Sequence, residues 1–384
     1  MDSIFYSTPR FVIQEEMLIK NLDILKKVMD DTGCKILLAQ KAYSIYQTYP
    51  LISKYLSGTT ASGIYEARLG KERFGGETHI FSPAYIDAQF RQVLEYADHV
   101  VFNSVGQAER FAHEAKQHGK STGLRVNPEC STQKGHAIYD PCAPGSRLGC
   151  TIDQLEDAVK NNAKFSRDVM PLIDGLHFHT LCEQNSDDLE TTAKSFEEKF
   201  GKYLRDMKWV NFGGGHHITR GDYDIERLER IITHFRDEYD VQVYLEPGEA
   251  VVLNAGIFET AVIDIVHNGG VDIAILNSSA ACHTPDVIEM PYTPPVSGAG
   301  KPGEKKYTYR LAGCSCLAGD VFGDYSFDEP LKREDKVVFE DMALYTMVKT
   351  NTFNGIPLPP IYYQKGGVAE AIKVFGYDDF ESRL

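Results

Sequence analysis

Lys41 closes the apolar run KILLAQKAYS, and an amine sheltered by aliphatic neighbours has a depressed pKa, which favours the neutral nucleophile needed for a Schiff base. Three further groups each follow a short apolar run: His177 and His179 in GLHFHT, Gly213, Gly214 and Gly215 in NFGGGHH, and Glu246 in YLEPGEA. Glycines lack Cβ, so several backbone N–H groups can converge on one phosphate. Pro247 and Gly248 force a turn directly after Glu246, leaving its carboxylate at a strand tip where it would keep a pyridine nitrogen protonated. An amine, an imidazole, a phosphate cradle and a carboxylate point to pyridoxal 5'-phosphate. In that chemistry His179 lies against the face of the pyridine ring and His177 is a deeper core residue. The HxH pair also suits a metal-binding barrel hydrolase, because alternate residues of a strand face one side. No aspartate stands at a late strand tip to complete such a site, and no metal is assigned.

Eight β-like runs position these groups, at 35–39, 58–61, 78–81, 99–102, 123–126, 175–179, 209–212 and 241–246. Between most of them lie helix-like segments, at 64–71, 84–96, 105–118, 189–204 and 225–239, with apolar residues at three- and four-residue spacing. Strand and helix alternating eight times predicts a (β/α)8 TIM-type barrel, an α/β fold whose enzymes keep their chemistry at the C-terminal strand ends. The turn-rich stretch 128–149 interrupts the rhythm and is expected to be a functional loop. After about residue 261 come β-like runs without strong helices, AVIDIVHN, VDIAILNSS, KYTYRLAG, DKVVFEDM and ALYTMVKT, which predict a second, mainly β domain. The opening STPRFVIQ is strand-like, with a helix from about 15 to 31 stopped at Gly33, and is expected to pair into that domain. The expected division is a barrel at 31–262 and a β domain from 1–30 and 263–384.

The chain has 384 residues, and single cores rarely grow past roughly 250–300 residues, so two lobes are expected. Its apolar, aromatic and charged fractions are those of an ordinary globular protein. A net charge of −15 argues against a nucleic-acid partner and mildly favours cationic substrates. The first residues carry charges every few positions, without the unbroken apolar stretch of a signal peptide or membrane span, so no membrane partner and a cytoplasmic address are expected. Eight scattered cysteines read as free thiols, Cys314 as an ordinary buried one, and the lack of a CxxC pair leaves no structural zinc site.

The strand tips resemble the alanine racemase-like family of pyridoxal phosphate enzymes, in particular its decarboxylase branch with ornithine and diaminopimelate decarboxylases, over nearly the whole chain. The resemblance implies that Lys41 is the Schiff-base lysine, His179 the ring-stacking histidine, Gly213 to Gly215 the phosphate loop and Glu246 the pyridinium partner. It implies too that Cys316 in GCSCLAGD is the catalytic cysteine and Tyr345 in ALYTMVKTNTFNG a phosphate-binding tyrosine. Cys316 and Asp320 would then enter the site from a second copy, which implies a homodimer with shared active sites. Two departures narrow the substrate: the family's EPGR is EPGE here, placing Glu249 where an arginine would help bind phosphate, and Leu317 stands where diaminopimelate decarboxylases carry an acid. A carboxylate in place of an arginine disfavours a second substrate carboxyl and favours extra amines. Together with SSAACHTPDVIEMPYTP and GDYSFD, the chain resembles the carboxynorspermidine/carboxyspermidine decarboxylases, with Glu249, Asp286, Glu289 and Asp320 as candidate polyamine contacts. A diaminopimelate or ornithine-type activity is the alternative. Thr284 and Thr293 stand where that branch is expected to carry Met and Arg, so the fine substrate choice stays open.

Overall fold

Eight short apolar strands pair edge to edge, all parallel, and close on themselves in the computed structural model, which describes residues 3–133 and 140–384. After β1 (Arg10–Gln14), these are β2 (Lys35–Ala39), β3 (Gly58–Ala61), β4 (Glu77–Phe81), β5 (His99–Phe102), β6 (Ser121–Arg125), β7 (Gly175–His177), β8 (Trp209–Asn211) and β9 (Gln242–Leu245). The ring closes where β2 pairs with β9 through Lys35 opposite Tyr244 and Ile36 opposite Leu245. Strands covered on both faces need continuous apolar runs, which is why all eight were visible in the sequence. Leu37, Val101, Trp209 and Tyr244, with Phe81 against them, pack as a cluster among these strands.

The crossover helices Ile64–Arg73, Phe90–Tyr96, Val105–Gln117, Ser186–Leu204 and Ile225–Tyr239 fall on the predicted segments. The helix Ile152–Asn161 was not foreseen; it buries just Leu155 and Ala158, although Thr151 and Gln154 form a capping box at its start. Of the expected functional loop, 134–139 lie outside the described residues. Its end is pinned to the tip of β5, where Asn103 donates to the Arg147 carbonyl at 2.8 Å and accepts from the Gly149 N–H at 2.7 Å.

The second unit is an eight-stranded sheet of β1, β10 (Gly256–Asn268), β11 (Val271–Leu276), β12 (Tyr307–Ala312), β13 (Val321–Phe327), β14 (Lys336–Phe339), β15 (Ile361–Lys365) and β16 (Val368–Lys373). The order is β13-β12-β11-β10-β1-β15-β16, with β14 also on β10. As expected of STPRFVIQ, β1 enters this sheet, antiparallel to β10 and parallel to β15. ALYTMVKT is not a strand: Tyr345–Met347 is a single 3-10 turn with Tyr345 at φ +32, and the run is apolar because Ala343 and Met347 are buried. The hairpin of β15 and β16 was overlooked, although Gly366 and Gly367, both at positive φ, are the usual two-residue turn signal.

Packing separates residues up to Lys20 together with Val252–Leu384 from Asn21–Val251, whereas the sequence suggested divides near 30 and 262. The difference arises because β10 already pairs with β1 at Gly256. Among the described residues, no helix is long and apolar enough to cross a membrane.

Candidate active site

Lys41 occupies the tight turn that follows β2, where the Gln40 N–H donates to the Thr60 carbonyl at 3.1 Å and the Ala42 N–H to Ala39 at 3.0 Å. The Ala39 N–H reaches the Pro247 carbonyl at 3.2 Å, so this turn adjoins the one that follows Glu246. The Lys41 side chain opens to solvent yet is ringed by protein. Loss of hydration lowers its amine pKa, the Arg125 charge lowers it further, and Glu246 partly opposes them.

Glu246 is 8% exposed, and its carboxylate accepts from Asn211 Nδ2 at 2.8 Å and faces His177 Nε2 at 3.3 Å. Burial alone would raise its pKa, but His177, His79 and Asn211 outweigh burial and hold it below the usual carboxylate range. Burial likewise lowers His177, so the carboxylate carries the charge and the neutral imidazole turns its Nε2–H toward it. His177 is thus buried, as expected, with Glu246 as its partner.

His179 accepts from the Gly214 N–H at Nδ1, 2.8 Å away, which places its ring proton on Nε2. Burial and the nearby Lys41 and Arg125 charges keep this imidazole neutral. The two histidines therefore serve different partners. The glycine run is packed as tightly as a cradle requires: a Cβ on Gly213 would lie 2.7 Å from His179 Cβ, and one on Gly214 would lie 2.6 Å from the Glu246 carbonyl. Gly213 also sits at φ +69. Its N–H is taken by Asn211 Oδ1 at 2.8 Å and that of Gly214 by His179, so two of the three amides orient neighbours instead of pointing at a phosphate.

The remaining candidates lie in the sheet unit. Cys316 is exposed, as is Cys314, which the sequence reading had buried. The Cys316 N–H donates to Asn354 Oδ1 at 2.8 Å. Asp320, expected to meet substrate, is 3% exposed, and its carboxylate accepts from the Ala281 and Ser315 N–H groups, both at 3.1 Å. Its place in the structure is to hold the loop that carries Cys316. Asp286 and Glu289 both pair with Lys349, the latter at 3.0 Å. Tyr345 is half-buried.

The family model described as "Pyridoxal-dependent decarboxylase, C-terminal sheet domain" matches residues 28–343. The chain belongs to this pyridoxal-dependent decarboxylase family. It is 41% identical to a carboxynorspermidine/carboxyspermidine decarboxylase of Campylobacter jejuni, over 98% of each chain. It is 38% identical to a carboxyaminopropylagmatine decarboxylase of Synechocystis, over 98% of this chain and 95% of that one. The crystal structure of carboxynorspermidine decarboxylase from Campylobacter jejuni complexed with norspermidine superposes with a TM-score of 0.88 at 40% identity, covering 98% of this chain and 100% of that one.

The decarboxylase's donor set fits pyridoxal phosphate, with an activated amine, an ionised carboxylate, a flat neutral imidazole and a glycine loop that a Cβ would block. Glu249 heads the helical turn after Glu246 and pairs with His217 Nε2 at 3.1 Å. One residue of the rim was missed altogether. Arg125, the last residue of β6, is 5% exposed and lies 4.5 Å over the Phe81 ring. An arginine ending an apolar run was the available signal.

Proposed function

We propose that this decarboxylase removes the α-carboxyl of carboxynorspermidine and carboxyspermidine to give norspermidine and spermidine. Glu249 carries the reading: a carboxylate stands beside the cofactor residues where the family has an arginine, so the site favours a substrate with extra amines over one with a second carboxyl. The Campylobacter jejuni relative, alike over nearly its whole length, supports it.

When bound, pyridoxal 5'-phosphate supplies an electron sink for the pair left at the α-carbon as CO2 departs. Lys41, its amine pKa lowered by burial, would hold the cofactor covalently. Glu246, kept anionic by Asn211 and His177, holds the proton on the pyridine nitrogen. His179, oriented by the Gly214 N–H, would hold the ring of the cofactor. Gly215 and Tyr345 are assigned to the phosphate. Cys316 protonates the α-carbon, its loop fixed by Asp320. Asp286 and Glu289 bind a substrate ammonium in exchange for Lys349. The enzyme acts in the cytoplasm as a homodimer in which Cys316 serves the partner's site.

The test is CO2 release from carboxynorspermidine, carboxyspermidine, carboxyaminopropylagmatine, diaminopimelate and ornithine, measured side by side. The first two are expected to exceed diaminopimelate by about 100-fold or more in kcat/KM, since its second carboxylate is a misplaced charge that costs several kcal/mol, and to exceed ornithine, which has one extra amine where they have two. Faster turnover of diaminopimelate or ornithine overturns the proposal, and preference for carboxyaminopropylagmatine moves it to that substrate.

A further inference from the structure

The strand starts, at the opposite end of the barrel from the chemistry, hold a second group of polar side chains. Glu77 opens β4, His79 follows two residues on and faces the same way, and His99 opens the neighbouring β5 directly opposite His79. The two imidazoles stack at 3.9 Å with 8° between their planes. They share one focus: Glu77 Oε2 lies 3.2 Å from His79 Nε2 and 4.0 Å from His99 Nε2. Two nitrogens and an oxygen from three side chains therefore lie within 4.8 Å of one another. Cysteine spacing gave no hint of this group, since none of its members is a thiol and the third comes from another strand.

Hydrogen bonding satisfies little of it. His79 Nε2 meets Glu77 at hydrogen-bond distance, but His99 Nε2 stands too far off, and among the described residues the Nδ1 atoms of both rings are buried without a partner. Buried polar groups are ordinarily satisfied, so a cluster left open marks a place for water or an ion. The donor types decide between the two, because two imidazoles and a carboxylate are a set that binds zinc with one position left for water. A tetrahedral zinc about 2.0–2.1 Å from each donor sets the donors about 3.4 Å apart, close to the 3.2 Å already present between His79 and Glu77. Tyr244 donates to the same Oε2 at 3.0 Å, the kind of outer hydrogen bond that orients a ligating carboxylate. Lys35 is the competing cation: it pairs with the other Glu77 oxygen, and with 36% of its side chain exposed it can turn to solvent as an ion arrives. We propose that Glu77, His79 and His99 form a zinc site that ties β4 to β5 at the N-terminal end of the barrel. The site is independent of the cofactor assignment made above.

The experiment titrates Zn2+ by calorimetry into the full-length, cofactor-loaded enzyme after chelator treatment, comparing wild type with His99→Gln, Lys35→Met and Cys314→Ser. Wild type is expected to bind one zinc per chain at this site, and His99→Gln to bind it about 100-fold more weakly, as loss of a ligand does. Lys35→Met should bind it roughly tenfold more tightly, because the competing charge is gone. Cys314→Ser, which removes an exposed thiol in the sheet unit, should change nothing. Zinc at about 100 times its Kd should raise Tm by about 5 °C in the wild type, and by less at the same concentration in His99→Gln. No zinc bound by the wild type, equal affinity in His99→Gln, or loss of binding in Cys314→Ser overturns the proposal. Should His99→Gln not fold, Lys35→Met decides alone: tighter zinc supports the site, and unchanged or weaker zinc sinks it.

Discussion

The carboxylate of Glu246 lies 3.3 Å from Nε2 of His177, at the tips of two strands that Asn211 on β8 separates and bridges. Two donors thus fix both the orientation and the charge of one buried acid before any ligand arrives. Replacing it isosterically keeps the shape and removes the charge. Glu246→Gln is expected to lower kcat by on the order of 100-fold or more while leaving covalent attachment at Lys41 intact. Turnover against mass after borohydride reduction separates the two effects.

Crowding around the glycine run predicts a second outcome. Gly214→Ala would drive a Cβ against the Glu246 carbonyl, 2.6 Å away, with neither backbone free to withdraw. A loss of about 1–3 kcal/mol in stability and a weakened affinity for pyridoxal 5'-phosphate are expected, from thermal unfolding and fluorescence titration.

Asp320 separates loop order from chemistry. Asp320→Asn turns one acceptor of two backbone N–H groups into a donor facing a donor, costing about 1–3 kcal/mol. The variant should keep bound cofactor yet protonate product slowly, mimicking Cys316→Ala in single-turnover kinetics. Product formation at the wild-type rate would detach this loop from the reaction.

A fourth prediction concerns acid. Asp174, at the start of β7, accepts from the Thr122 N–H at 2.9 Å and Lys208 at 2.8 Å and pairs with Lys116. Burial raises its pKa, but these three partners together outweigh burial and depress it. A depressed carboxyl stabilises the fold fully above its unfolded value, about 4, and that stability is lost as pH falls through the folded one. The Tm gap between wild type and Asp174→Asn should be largest above about pH 5 and narrow below about pH 4.

Barrel strands were legible because burial on both faces leaves a continuous apolar run, and Lys41 and Glu246 could be placed because each ends such a run. The sheet was harder. β13 carries Asp324 and Ser326 among its apolar residues and β16 is largely exposed, so neither shows a strong pattern. Met342, Ala343 and Met347 sent the opposite signal, since burial under a turn looks like burial in a strand. Within the site, residue types announced the amine, the acid and the glycines, but not their couplings. That His177 would share a proton with Glu246, that Gly214 would donate to His179, or that Arg125 would be enclosed depends on strand neighbours far apart in the chain.

In the sheet, Arg10 lies opposite Glu259 and Phe11 opposite Ile361, so a strand that precedes the barrel in the chain sits between strands that follow it. The barrel segments can emerge and assemble while that first strand still lacks both its edges. On a ribosome the order of assembly is therefore barrel first, sheet last, and a stalled nascent chain would carry a bare β-edge for chaperones to cover.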